Sequence, residues 1–281
     1  MVFNRRQDMA IIAISRELES LGEETAQELA RLNGYTIVDK EHIEKAIAAI
    51  GLDASKLERY DEKNPGFWAS LSQQRDEYLH LLTQAIYEAA LGNNCIIIGR
   101  GAHAILKGIP NLLSVRIGAS KSIRVERVRK SQNIDSRHAL QIIESSDHDR
   151  AGFHKYFFSV DWHDPSEYDM TITTDRITPA QAAAAIDAMR KVVVTEERER
   201  EAVARLSDLL LGSKIVTEII YNRKIPVHFL EAAVEHGVVV LHGVANTHAA
   251  VDSAVAAANL VPGVKQVESA IQLVQEFTVV P

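Results

Sequence analysis

Three short stretches hold residues whose types and spacing could do chemistry, and the first of them is built to suit phosphate. In the first, the apolar run Met9-Ala-Ile-Ile-Ala-Ile14 gives way to Ser15 and Arg16 and then, through Ser20 and Gly22, to a helical stretch from Glu23 to Leu32. A strand that feeds a loop opening a helix is a prepared anion site, because the helix start offers free N–H groups and the positive end of its dipole. The second is Ile98-Gly99-Arg100-Gly101, an arginine between two glycines after another apolar run. The third places Arg124 and Arg127 one helical turn apart, followed by Asp147, Arg150 and His154 on one face at i,i+3 and i,i+7. Spacing of this kind lets charged side chains converge on one helical face.

Against the phosphate-loop pattern G-x-x-x-x-G-K-[ST], the first stretch keeps one glycine, Gly22. Glu19 and Leu21 stand where close backbone approach calls for glycine, and Glu23 stands where the lysine belongs. A carboxylate replacing an ammonium about 4 Å from a phosphate turns attraction into repulsion, each about 4 kcal/mol at an effective dielectric near 20. Such a loop is expected to bind triphosphate poorly, with Arg16 the nearest cation able to compensate. A local alternative stays open: Ser20 and Glu23 have capping-box spacing, in which side chains satisfy the N–H groups a phosphate would use. Arg124 to Lys130 also reads as a solvated helical face, and Asp147 with Arg150 as a surface pair worth well under about 1 kcal/mol. His103, His148 and His163 have no metal-ligand spacing with acidic partners, and no G-x-S-x-G elbow occurs.

The elements that must position these residues follow from the pattern. Met9–Ile14, Thr36–Val38, Cys95–Ile98, Leu112–Ile117 and Tyr168–Thr173 are short apolar runs of the kind a doubly covered parallel strand shows. Helical stretches lie between them: Asn33-Gly34 stops the first, a long and mostly helical segment follows Asp39, and Thr178-Pro179 opens the last. That alternation predicts an α/β domain with a largely parallel sheet over residues 1–195. The charge run Glu196–Glu201 begins a helical stretch to Leu211 and marks the boundary. Residues 196–281 then read as a linker helix and a small α+β module: a hairpin around His236-Gly237, an alanine-rich helix Ala249–Ala258, a turn at Val261-Pro262-Gly263 and a last extended segment to Val274.

The 281 residues suffice for two such domains, and with 46% apolar and 25% charged residues the chain is expected to fold around sizeable cores. A formal net charge of −7, from 31 basic and 38 acidic residues, argues against a nucleic-acid binder. The lone Cys95 excludes an internal disulfide framework. Arg5 and Arg6 precede an apolar run shorter than the roughly 7–15 residues of a signal core, so a cytoplasmic address is expected.

In order along the chain, Ile14-Ser15-Arg16, Ser20, Gly22, Glu24, Ala26, Leu29-Ala30 and Val38-Asp39-Lys40-Glu41 resemble the opening of the cytidylate kinase-like family. Ile98–Gly101, Arg116–Ala119 with Arg124 and Arg127, then Asp147, Arg150, Tyr156, Tyr168-Asp169 and Ile172-Thr173-Thr174 continue it. The resemblance implies a P-loop kinase fold in a bacterial phosphotransferase, which moves a phosphoryl group from ATP with Mg2+ to a pyrimidine nucleoside monophosphate such as CMP. It implies that Ser15, Ser20, Gly22, Glu23 and Glu24 belong to the ATP-binding loop and that Asp39, Arg100 and Tyr156 face the acceptor. Arg16, Arg124, Arg127, Asp147 and Arg150 would serve the transfer itself, and no residue is assigned to metal.

Further on, Ile215–Ile219, Val227–Val234, Gly237–Val244, Ala249–Ala258 and Val261–Val267 resemble a BON domain. In this reading Gly237 and Gly243 bracket a short strand at turns, and Gly263 makes a tight helix-to-strand turn. The resemblance implies a module that binds proteins or phospholipid. The helix Ala249–Ala258 carries no lysine or arginine, which favours a regulatory, protein-binding or self-associating role over lipid. Two functions follow: a cytidylate-type kinase tuned by its BON module, or a catalytically degenerate kinase-fold protein that binds nucleotide as a sensor or scaffold.

Overall fold

The structure, a computed structural model, describes residues 10–51, 72–92 and 94–274. Met9, and residues 52–71 of the expected helical segment, lie outside them. The chain divides into two compact units between residues 202 and 203.

The first unit is built on five parallel strands, β1 (Ile11–Arg16), β2 (Thr36–Val38), β3 (Cys95–Ile98), β4 (Leu112–Gly118) and β5 (Met170–Thr173), in the order β2-β3-β1-β4-β5. The central strand pairs on both sides, Ile12 with Ile96 and with Leu113. Helices α1 (Gly22–Asn33), α2 (Lys40–Ile50), α3 (Ser72–Leu91), α4 (Ala102–Ile105), α5 (Lys121–Gln132), α6 (Ser136–Phe158) and α7 (Pro179–Val193) connect and cover the strands. Alternation turns Ile12 and Ile14 toward Ala26 and Leu29 of α1 and Ala182 and Ile186 of α7, so one core layer lies between sheet and helices. All four side chains of β3 are buried, as expected of a strand covered on both faces. Because the chain turns back across the sheet at β1, the crevice beyond the carboxyl ends of β1 and β3 is where this topology places ligands.

Two local features shape that crevice. Gly34, left-handed at φ 69°, closes α1 as Asn33-Gly34 predicts. After β3, three successive residues are left-handed, Gly99 at φ 75°, Arg100 at 54° and Gly101 at 68°. This turn re-aims the chain into α4 and carries Arg100 into the interior.

The division falls within α8 (Glu196–Val216), which ends in a π-helical turn, Thr217–Asn222; the second unit goes on with β6 (Val227–Glu235), β7 (Val238–Ala245), α9 (His248–Asn259) and β8 (Gln266–Leu273). His236 and Gly237, both at positive φ, make the tight hairpin between β6 and β7. β8 returns parallel to β7, in the order β6-β7-β8. Ala250, Ala254, Ala257 and Ala258 form the buried stripe of α9 and pack with Ile215, Ile219, Val239 and Leu241. Gly243 corrects the sequence reading: it lies inside β7, opposite a bulge between His228 and Glu231, and not at a turn. A Cβ there would come within 2.9 Å of Val227 and 3.0 Å of the His228 carbonyl, so the glycine lets the bulged strand close in.

The left-handed turn at the crevice yields a test. A Cβ on Gly101 would overlap the Phe158 ring. Gly101→Ala is therefore expected to lower the unfolding free energy by about 2–4 kcal/mol, strain and overlap combined. An unchanged midpoint in denaturant would mean that the turn is not built this way.

Candidate phosphate-binding site

A cavity of about 740 Å³ opens beyond the ends of β1 and β3. Its floor is Arg16, Leu18, Lys40, Ile98 and Arg100, and its wall is Gln132 of α5 with His138, Gln141, Ile142, Ser145, Ser146, Asp149 and Arg150 of α6. Three of the residues singled out in the sequence, Arg16, Arg100 and Arg150, thus meet in one space. Arg100 is 3% exposed and donates to Glu44 at 3.3 Å, while Lys40 lies 3.6 Å from the same carboxylate oxygen. Arg16 Nε donates to Glu23 at 2.8 Å. Arg16, Lys40, Arg100, Arg150 and Asp149 thus line one cavity, with Glu23 paired to Arg16 and Glu44 to Arg100 and Lys40.

Two glycines make room for Arg16. A Cβ on Gly22 would lie 2.5 Å from Arg16 Cβ, and one on Gly99 would lie 2.5 Å from Arg16 Nη1. The side chain thus runs through a slot between the loop and the left-handed turn, and either glycine could be replaced only by displacing it.

The loop does not follow the capping-box reading. Leu21, left-handed at φ 61°, is the N-cap of α1 and gives no side-chain cap bond. Ser20 Oγ instead donates to the Glu17 carbonyl at 2.9 Å, and Glu23 is held by Arg16. Serine is displaced as the cap because Leu21 continues the loop for one more residue than the spacing implied, and α1 starts at Gly22. Glu19 is also left-handed, at φ 58°, so both positions where glycine was wanted keep the glycine conformation without the glycine.

Arg124 and Arg127 turn away from the cavity. Arg124, 3% exposed, pairs bidentately with Asp147 at 2.9 and 2.6 Å and lies 3.4 Å from Glu17 Oε2. Burial opposes its charge, but Asp147 and Glu17 outweigh burial and hold the guanidinium above its ordinary pKa. Arg127 donates to the Glu19 carbonyl at 2.8 Å and to Thr174 Oγ1 and O at 3.1 and 2.8 Å. Ser15 is buried and accepts from Trp162 Nε1 at 2.8 Å. Glu24 is exposed on α1. Asp39 caps α2 and pairs with His42 Nδ1 at 2.8 Å; that bond lowers its pKa. The Tyr156 ring lies 5.0 Å from the Arg75 guanidinium. Asp39 and Tyr156 do not line the cavity.

Sequence reasoning missed Glu17, and it quoted Arg116 without assigning it to the site. Glu17 stands at the first glycine of the phosphate-loop pattern, which was the available signal. Its carboxylate accepts from Arg116 Nη2 at 2.9 Å and from the Ala119 N–H at 3.1 Å. Arg116 in turn donates to the Trp162 carbonyl at 2.6 Å and lies 4.2 Å from the Trp162 ring centroid. Beside this pair, His103 packs against His154 and Tyr168 with ring centroids 5.2 and 4.7 Å away. Burial, with repulsion from His154, Arg116 and Lys107, pushes its pKa down to about 3. Burial likewise raises the Cys95 thiol to about 12, which makes it a core residue rather than a nucleophile.

His103 carries a pH signature. Unfolded, it takes up a proton below its ordinary value of 6.5; folded, only below about 3. Stability is therefore expected to fall with pH across that window by about 1.4 kcal/mol per unit from this group. His103→Phe should flatten the slope in denaturant titrations between pH 4 and 7. Equal slopes would show that the imidazole is not buried neutral.

Among the described residues no group of three or more His, Cys, Asp or Glu could hold a metal ion, and no helix is long and apolar enough to cross a membrane. The sequence model of the cytidylate kinase-like family matches residues 11–176, and that of the BON domain matches 207–275. A crystal structure of an uncharacterized protein from Eubacterium ventriosum ATCC 27560 is similar, at 24% identity and TM-score 0.49, covering 66% of this chain and 98% of that one. Shikimate kinase from Bacteroides thetaiotaomicron matches at 14% identity and TM-score 0.38, over 66% and 98% of the two chains. A gluconokinase from Sinorhizobium meliloti 1021 matches at 18% and 0.31, over 73% and 95%. None of the curated proteins matches the chain. The chain belongs to the cytidylate kinase-like family, with a P-loop kinase-like parallel sheet and a separate, smaller BON domain. That fold is one that uses nucleotide and metal in general. The loop residues here do not fit a magnesium triphosphate, since Glu23 and Glu24 occupy the lysine and hydroxyl positions.

Proposed function

We propose that this member of the cytidylate kinase-like family binds the phosphate of a nucleoside monophosphate such as CMP in the arginine-lined cavity, as a nucleotide-binding sensor or scaffold rather than an ATP-dependent kinase. The observation that carries this reading is the pairing of Arg16 with Glu23 at the lysine position, 2.8 Å apart, beside a cavity that keeps Arg100 and Arg150. Arg16, Arg100 and Lys40 would hold the phosphate. The hydroxyls and amides of Ser145, Ser146, Gln132 and Gln141 would meet the polar remainder of the ligand. Arg124 and Arg127, engaged with Asp147, Glu19 and Thr174, are not available to a transferring phosphoryl group.

A second reading, phosphoryl transfer from ATP with Mg2+ to the same acceptor, is favoured by the loop backbone. Glu19 and Leu21 keep the left-handed conformation of a phosphate loop, and Gly22 opens the helix. For the BON domain we favour a protein partner or self-association over lipid. Neither α9 nor any of its three strands carries a lysine or arginine to meet anionic headgroups. A cytoplasmic setting accords with a nucleotide ligand.

Thermal unfolding with CMP, other nucleoside monophosphates and ATP·Mg2+ tests the reading. A monophosphate at 100 times its Kd is expected to add about 2.7 kcal/mol of stability, ATP·Mg2+ nothing comparable, and Arg16→Ala or Arg100→Ala to abolish the gain. ADP formation above an enzyme-free blank, lost in Arg100→Ala, would replace the first reading with the second. Stabilisation by none of the monophosphates would overturn the first outright.

A further inference from the structure

Three consecutive carbonyls of the phosphate loop, those of Leu18, Glu19 and Ser20, are each held from the same side. Arg124 Nη1 donates to Leu18 O at 3.4 Å, Arg127 Nη1 to Glu19 O at 2.8 Å, and Thr174 Oγ1 to Ser20 O at 2.8 Å. The three donors are themselves fixed. Asp147 and Glu17 grip Arg124, Arg127 bonds both Thr174 Oγ1 and its carbonyl, and Thr174 N–H donates to Gly118 O at 2.9 Å. Thr174 is 2% exposed, at the end of β5.

The carbonyls so held belong to a segment whose backbone conflicts with its residues. Glu19 and Leu21 are left-handed at φ 58° and 61°, a region that L-residues with a Cβ enter at a cost and glycine enters freely. Ser20, at ordinary φ, lies between them and turns its own N–H back to the Glu17 carbonyl at 3.3 Å, so the loop alternates left- and right-handed residues. The N–H groups of Glu19, Leu21 and Gly22 take no acceptor from the described residues. A strained conformation persists only where its surroundings over-determine it, and here the surroundings are three donors on three adjacent oxygens.

We propose that Arg124, Arg127 and Thr174 are positioning residues that do for this loop what glycine does in the usual phosphate loop. By fixing the carbonyls they keep the Glu19 and Leu21 amides turned the other way and preserve an anion-binding backbone in a loop whose only pattern glycine is Gly22. The two arginines that the family resemblance assigned to the transfer thus serve the loop. This role concerns the shape of the loop and stands whichever nucleotide, if any, the cavity takes.

The test asks whether glycine makes the clamp dispensable. Amide hydrogen exchange of residues 18–23 and the unfolding midpoint are measured on the full chain for Arg127→Gln and for Thr174→Val. Each is made in the natural sequence and in a Glu19→Gly/Leu21→Gly background. In the natural sequence either substitution is expected to speed exchange of the loop amides about tenfold or more, the factor that releasing one strained residue provides. In the glycine background the same substitutions should change exchange by about threefold or less. Thr174→Ser, which keeps the hydroxyl, should behave as the natural protein. Equal effects in both backgrounds would overturn the proposal and leave the two residues as ordinary fold contacts. Thr174→Val keeps it falsifiable should Arg127→Gln fail to fold, and neither readout depends on a ligand.

Discussion

The Glu17 carboxylate governs how this site is built. It lies at the end of the central strand and binds Arg116, the Ala119 N–H and Arg124, which passes the charge on to Asp147. These contacts tie β1 to β4, α5 and α6 through groups that are 15% exposed or less, Asp147 excepted at 19%. In such surroundings an ion pair is weak evidence of net stabilisation, but removing one partner leaves a buried charge and costs about 3–5 kcal/mol. The network is therefore mutually obligatory. It consumes two of the arginines that lie near the loop, and so decides which cations remain for a ligand.

The cavity itself is lined by Arg16, Lys40, Arg100 and Arg150 together with Asp149, and Glu23 and Glu44 pair with cations of that lining. A phosphate loop with a lysine puts its cation on the helix side. Here that side carries a carboxylate, and the cation arrives from the strand side through the slot left by Gly22 and Gly99. The backbone still has the form of a phosphate loop while its electrostatics do not. Fold and chemistry have separated within a stretch of seven residues, as sites grafted on common folds allow.

The BON domain shows a similar division between backbone and side chain. Gly243 admits the bulge of β6, and within that bulge Phe229 is left-handed at φ 52° and 92% exposed. The strain has no packing gain to offset it inside the unit. Across the sheet, Glu231, His242 and Ala270 stand in one row and Ala233, Val240 and Glu268 in the next, so the strand face away from Leu241 and Ala232 is acidic and partly apolar. A face of that character repels anionic lipid, in accord with a protein-facing role.

The sequence by itself determined the periodic features. Continuous apolar runs specified doubly covered strands at Ile11–Arg16, Cys95–Ile98 and Leu112–Gly118, and Asn33-Gly34 and Thr178-Pro179 marked helix ends, because burial period and turn chemistry are local properties. It also determined the charge reversal at Glu23, and by resemblance it brought Arg16, Arg100, Arg124, Arg127 and Arg150 forward together as cations of one site. Only the tertiary structure decided the direction in which each charge is used. Arg124 and Arg127 have the same spacing whether they face a ligand or a loop, and their partners, Glu17, Glu19 and Thr174, lie from 47 to 108 residues away. Ser20 and Glu23 keep capping-box spacing while the cap falls on Leu21, because Arg16 competes for the carboxylate and the Glu17 carbonyl for the hydroxyl. Hydrogen bonds of this kind are settled by which groups the fold brings within about 3 Å, a distance that spacing along the chain does not encode.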